Sequence, residues 1–230
     1  CVPDLLRLGQ RVILECDPRL VPLFARSFPA ARVRAATHDT DGRETLAPDY
    51  DRHCAIGSLP RFLRRRLDDF PEDGAFLMPD PARVAAWRAR LSALGPGPKV
   101  GVAWRSANMT GDRAKYFAPL AAWRPVLALP GVTYVLLQHG ARPEELEAFR
   151  TAYGVGFAGW PDLDLKDDFE SVAALIRALD AVVTGPSSIM LLAGGLGAPT
   201  FAFHGPPSQY KLLGTRRLPW HPTCRLFIKE

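Results

Sequence analysis

The sequence predicts an α/β fold built on parallel sheet, and three observations carry the prediction. Short apolar runs rich in β-branched residues, such as Lys99–Trp104, Thr133–Gln138 and Ala181–Val183, alternate with segments of helical period. Alternation of this kind means parallel strands joined by crossover helices on both faces of a sheet. The chain has 230 residues, 47% hydrophobic and 23% charged, the composition of an ordinary globular protein with enough length for two cores. Finally, Gly95-Pro96-Gly97-Pro98 is a stretch that no regular element can cross. It divides the chain into domains 1–95 and 99–230.

Each element has its own signal. Residues 5–10 read as the end of a helix closed at Gly9, and Arg11–Cys16 as a strand. Pro18 opens a helix through Phe28, with proline at a first-turn position. Ala31–Ala36 is a second strand, Thr37–Asp49 a polar loop and Arg52–Gly57 a third strand. Ser58 is placed to cap an arginine-rich helix that runs to Leu67. From Pro81 to Leu94, Val84, Trp87 and Leu91 recur at helical spacing. Beyond the Gly-Pro stretch, strands at 99–104, 133–138, 155–158, 181–183, 200–205 and 225–229 alternate with helices at 120–129, 143–153, 169–179 and 189–193, the last capped by Ser187 or Ser188. A short helix is expected near 209–213. The helix after Thr184 is apolar nearly all round, so it should be buried, and Gly194, Gly195 and Gly197 should end it.

Several functional classes are excluded. The chain has no apolar run of about 18 residues, the least a membrane helix needs, and its start lacks the features of a signal peptide. A cytoplasmic location is expected. The chain starts without Met, inside a predicted helix, and reads as a fragment. The net charge of +5 is scattered arginine, and no aromatic residues interleave with a basic stripe, so nucleic acid is not an expected partner. Arg64-Arg65-Arg66 is either a solvated helix face or a patch for an acidic partner. Cys1, Cys16, Cys54 and Cys224 show no CxxC spacing, which predicts buried thiols and no zinc or disulfide framework. GxGxxG, GxxxxGK[ST], GxSxG and HExxH are all missing. No metal or cofactor is expected.

In a parallel sheet, ligands bind at the carboxyl ends of the strands. That rule selects four loops of the second half. Arg105–Tyr116 holds Arg105, Ser106, Asn108, Arg113 and Lys115, cations and donors suited to a diphosphate leaving group. The same inventory also describes a plain polar loop. Gln138 and His139 end the next strand. The segment 162–168 offers Asp164 and Asp168 to sugar hydroxyls, although Asp167 or Asp168 equally suits a helix cap. In Gly185–Ser188, the amides after Pro186 and the positive end of a helix dipole form an anion site, with Ser187 and Ser188 as donors. His204 ends a strand and can line the same cleft.

On these residues a family resemblance is visible. The segments VGVAWRS, RAKYFAPLAAW, PGVTYVLLQHG, DLDLKDDFESVAALIRALDAVV, LLAGGLGAPT and LLGTRRLPWHPTCRLF resemble the C-terminal domain of GT-B glycosyltransferases related to the heptosyltransferases of family 9. They are most similar to bacterial members in which that domain follows tetratricopeptide repeats. RVILECDPRLVPLFARSFP and DRHCAIGSLPRFL resemble the later part of the N-terminal domain. The resemblance implies two Rossmann-like domains in GT-B arrangement, the N-terminal, acceptor-side one truncated, and a tetratricopeptide region outside this chain. It implies transfer of a sugar from a nucleotide-activated donor to a protein, flagellin among them, or to a glycan. Arg105 and Lys115 would be catalytic, stabilising the leaving phosphate without a metal. Ser106, Asn108, Arg113, Gln138, His139, Asp164, Asp168, Gly185, Ser187, Ser188 and His204 would hold the donor. Heptosyltransferases carry D-T-x-x-x-H at the glycine-rich helix, where this chain has Pro186, Ser187 and Leu191. A catalytically degenerate nucleotide-sugar-binding or scaffold module is the alternative.

Overall fold

A computed structural model describes residues 1–38, 44–45, 49–72, 74–106, 109–110, 115–204, 212–213, 215 and 218–228, with 44, 45 and 204 described for the backbone alone. The chain forms two units, Cys1–Pro71 and Glu72–Glu230.

In the first unit, helix α1 (Val2–Arg7) has Pro3 in its first turn. Its Asp4 accepts 2.6 Å hydrogen bonds from both Arg7 and Arg64. Strand β1 (Ile13–Cys16) runs parallel to β2 (Arg32–Ala35), with Ile13 opposite Arg32. Between them Asp17 accepts from the Arg19 N–H, capping the 3₁₀ turn Pro18–Leu20 that leads into α2 (Val21–Ser27). Arg34 pairs with both Glu15 and Asp49 at 2.7 Å, tying the two strands to the chain beyond them. A short antiparallel ladder of β3 (Thr37–His38) and β4 (Glu44–Thr45) lies within the expected loop.

The expected third strand is not formed. Residues 52–55 carry no strand pairing, and Ile56–Ser58 is a 3₁₀ turn. All of 51–58 is exposed, so the β-forming composition of Arg52–Gly57 has no neighbour to pair with among the described residues. Helix α3 covers only Pro60–Leu63 and is not capped by Ser58; its N-cap is Leu59, with no side-chain cap. Leu67–Asp69 is a separate 3₁₀ turn.

In the second unit, α4 (Pro81–Ser92) is capped by Asp80, whose carboxylate accepts from the Ala82 N–H, and it buries Val84, Trp87 and Leu91 as the spacing predicts. Strands β5 (Lys99–Ala103), β6 (Thr133–Leu136), β7 (Phe157–Ala158), β8 (Ala181–Thr184), β9 (Thr200–His204) and β10 (Cys224–Ile228) form one sheet in the order β10-β9-β8-β5-β6-β7. Every pairing in it is parallel. The connecting helices are α5 (Arg124–Leu127, after a 3₁₀ turn), α6 (Pro143–Tyr153), α7 (Phe169–Ala178) and α8 (Ser188–Gly195). One core cluster joins Val102, Trp104, Trp123, Leu127, Tyr134, Phe149 and Val183. Val172–Ile176 of α7 are buried as well.

The division at Gly95–Pro98 is not where the units separate. Helix α4 packs on α7 and belongs to the second unit. The Gly-Pro segment is fastened there: the buried Lys99 amine donates to Gly95 O and Gly97 O at 2.7 Å, and Pro98 O accepts from the Thr133 N–H at 2.9 Å. Proline and glycine exclude a helix or strand, yet leave their carbonyls open to a cation. The segment is a fixed turn, not a linker.

Helix α8 departs from full burial on one side. Leu191 is 52% exposed, and Ser188, one turn earlier, is exposed as well. Its glycines do more than end it: a Cβ on Gly195 would strike Leu77, one on Gly197 would strike Ala75, and one on Gly194 would strike His221. Phe76 and Leu77 both donate N–H bonds to Gly195 O at 2.9 Å, so the close approach is what the glycines permit. Of the cysteines only Cys224 is buried; Cys1 and Cys16 are half-buried and Cys54 is exposed. No helix among the described residues is long and apolar enough to cross a membrane.

Candidate functional site

The strand order of the second unit runs outward from β5 in two directions, first through β6 to β7 and then through β8 to β10. The chain therefore reverses between β5 and β8, and the crevice beyond their carboxyl ends is where an open parallel sheet receives a ligand. On one side of β5 lies the β6 terminus. On the other lies the β8–α8 turn.

The β5/β6 side is filled by a polar knot. Gln138 is buried; its side-chain oxygen accepts from the Trp104 N–H at 3.0 Å and the Arg105 N–H at 2.9 Å. Its amide nitrogen donates to His139 O at 2.8 Å. Arg105 donates through Nε and Nη2 to the two oxygens of Glu145 at 2.6 and 2.7 Å. Nη2 also donates to Gly140 O at 2.7 Å and Nη1 to Ser106 O at 3.1 Å. The two side chains are 13% and 16% exposed, so the pair is largely withdrawn from water. Glu145 occupies the first turn of α6 and also accepts from the Arg142 N–H at 2.9 Å. Burial pushes its carboxyl up, but the Arg105 guanidinium and the Arg142 N–H outweigh that and hold it at about 2.

The β5/β8 side is different. The Gly185 N–H donates to Ala103 O at 3.0 Å, which fastens the turn to β5. Thr184 is fully buried; its hydroxyl donates to Gly185 O at 3.0 Å and meets the Ser187 hydroxyl at 3.1 Å. Ser187 is the N-cap of α8 by position, yet its side chain makes no cap bond. The first intrahelical bond runs from the Leu191 N–H to Ser187 O, so the N–H groups of Ser188, Ile189 and Met190 lie ahead of it. Phe117 packs directly on Gly185. Lys115, two residues earlier, is exposed, with its amine 5.4 Å from the Tyr116 ring centroid.

The remaining expected residues divide as follows. Asp164 turns inward on its own loop, accepting from the Lys166 N–H at 2.7 Å and the Asp167 N–H at 3.0 Å, and these bonds hold its carboxyl below the usual range. Asp168 caps α7 by accepting from the Ser171 N–H at 2.9 Å. His139 is exposed at the turn after β6. Asn108 and Arg113 lie outside the described residues, as does the His204 side chain; the short helix expected near 209–213 falls largely outside them too. Ser106 follows Arg105 at the rim of the knot. Among the described residues no group of three or more His, Cys, Asp or Glu is placed to hold a metal.

Two residues escape the sequence reading. Glu145 is 40 positions from Arg105 and reads locally as an ordinary first-turn acid. An acidic residue opening the helix that follows a strand-end loop is the one signal that could have marked it. Phe117 falls within RAKYFAPLAAW, one of the segments that carry the resemblance, but nothing in the sequence gives it a role.

No family profile matches the chain. It is 42% identical over 225 residues to protein FlbA of Caulobacter vibrioides, a match that spans 94% of this chain and 38% of FlbA. Among solved structures it is similar to E. coli ADP-heptose lps heptosyltransferase II, with a TM-score of 0.48 and 19% identity over 72% of this chain and 49% of that one. It is also similar to the glycosyl transferase family 9 protein of Veillonella parvula, with a TM-score of 0.46 and 15% identity over 68% of this chain and 43% of that one.

Proposed function

We propose that this chain is a glycosyltransferase moiety that transfers a sugar from a nucleotide-activated donor to a protein, flagellin among the candidates, or to a glycan. The observation that carries the reading is the reversal of strand order at β5 and β8, which sets the uncapped N-terminus of α8 at the ligand end of the sheet. There the first-turn N–H groups and the helix dipole favour a diphosphate. In the transfer, the bond from the sugar's anomeric carbon to the phosphate oxygen breaks and the oxygen keeps the electron pair. A bond from the acceptor's hydroxyl oxygen forms at the same carbon, and the proton that oxygen loses passes to solvent. The α8 N-terminus, Ser187, Ser188 and Lys115 stabilise the charge that collects on the leaving diphosphate, in place of a metal.

Arg105 takes a different part. With its guanidinium committed to Glu145 and Gly140, it holds the β5 terminus in place. His139 and Asp164, at neighbouring strand ends, supply contacts to ribose or base. The first unit takes the acceptor side, as the resemblance implies.

The test is thermal-shift and calorimetric titration with ADP-, UDP-, GDP- and CMP-sugars. One of these should bind, and Lys115→Ala should weaken it by about tenfold or more. Wild-type affinity in that variant refutes the clamp, and absence of binding to all four refutes the reading.

One observation favours the second reading, a nucleotide-sugar-binding module without turnover. Pro186 and Leu191 stand where heptosyltransferases carry Asp and His, and Leu191 presents an apolar side chain beside Ser188. Mass spectrometry of an acceptor incubated with the bound donor separates the two, because only the enzyme adds the mass of a sugar.

A further inference from the structure

The segment that starts at Arg105 is fixed at both of its ends, on opposite sides of the strand reversal. At its start, Gln138 holds the Trp104 and Arg105 amides. At its end, Phe117 lies against Gly185. A Cβ on Gly185 would come 2.7 Å from Cδ1 and 2.9 Å from Cε1 of Phe117, and 3.6 Å from Trp104 O. Gly185 is not in the left-handed region, so its missing side chain serves the ring and not the backbone angle. Nor can the glycine retreat, because its N–H is bonded to Ala103 O. A ring seated on a bare backbone is a specific joint, since one methyl group on either side alters it.

We propose that Phe117 is a positioning residue: its contact with Gly185 seats the Lys115–Phe117 segment on the β8–α8 turn and thereby sets where the Lys115 amine stands. The contact itself is independent of ligand. Its consequence for donor binding rests on the function proposed above. Phe117 makes no claim on the reacting atoms; it acts through Lys115.

The test uses F117A, F117L, G185A and the double variant G185A/F117A, each in the whole chain. Hydrogen exchange without ligand comes first. F117A and G185A should each speed exchange of the amides in 115–118 by about tenfold, and F117L by much less. The double variant should resemble one single variant and not their product, because the new methyl enters the space the ring has left. Unchanged exchange in both single variants, or full additivity in the double one, overturns the joint; F117L and G185A keep the test alive if F117A fails to fold.

Titration with the nucleotide sugar that the wild type binds comes second. F117A should weaken its binding by about tenfold at an unchanged unfolding midpoint of the second unit, with F117L restoring most of the loss. Wild-type affinity in F117A, with faster exchange, overturns the positioning role. If the wild type binds none of the ADP-, UDP-, GDP- and CMP-sugars, the function falls, and the exchange measurement alone decides the joint.

Discussion

The two flanks of β5 are built from opposite materials. Toward β6, polar groups bond one another: the Gln138 amide bonds three backbone groups, and the Arg105 guanidinium bonds Glu145, Gly140 and Ser106. Toward β8, hydroxyls bond one another, a glycine lies under a ring, and a helix begins at Ser187 with no bond from the Ser187 side chain to its N–H groups. The β6 flank carries a paired charge, Arg105 with Glu145. The β8 flank carries a helix N-terminus whose N-cap side chain makes no cap bond. The sequence reading places Arg105 in the phosphate clamp, and in the structure its guanidinium bonds Glu145, Gly140 and Ser106. Charge near a site and charge available to a ligand are different quantities.

Changes on the β6 flank should therefore cost stability first. Glu145→Ala leaves a largely buried guanidinium without its partner, and should lower the unfolding free energy by about 3 kcal/mol in denaturant titration. Donor affinity should fall much less than in Lys115→Ala; an E145A protein of wild-type stability would break the comparison. The same pair sets a pH dependence. Its folded value of about 2 lies below the ordinary 4.5, so the contribution is fully present above about pH 4.5 and is lost as pH falls toward 2. Acid unfolding of E145A should show less slope across that window than the wild type.

Gln138→Ala comes next. It strips the acceptor from the Trp104 and Arg105 amides, one of them fully buried, at a cost of about 2 kcal/mol. On the β8 flank the order inverts. Ser187→Ala removes one hydroxyl contact and should cost only about 0.5–1 kcal/mol, while weakening the donor measurably in calorimetry. A large stability loss there with unchanged binding would make the β8 flank structural too.

What the sequence revealed is largely what neighbours in the chain decide. Helix α6 is legible to the residue, because Pro143 opens it and Gly154 closes it at a φ of 68°. The buried runs of β5 and β8 are legible because β-branched apolar residues have few other uses. Arg52–Gly57 has the same local character and fails as a strand, since pairing depends on a neighbour that composition cannot supply. The Gly-Pro segment is legible in part: its residues break regular structure, but the Lys99 bonds to its carbonyls join positions that local composition does not link. In the site, the β8–α8 turn could be read directly, as could the Asp168 cap among the alternatives, whereas the cap expected of Ser187 is not made by its side chain. The Arg105–Glu145 and Phe117–Gly185 contacts could not, because each joins segments 40 or more residues apart.

The central claim is that the donor diphosphate sits on the β8 flank. A crystal structure of the chain with the nucleotide diphosphate of the sugar it binds tests this directly. The account expects phosphate oxygens within about 3 Å of the Ser188 and Ile189 N–H groups, with Arg105 still paired to Glu145. Phosphate seated on an Arg105 released from Glu145, with the α8 N-terminus bare, would contradict it.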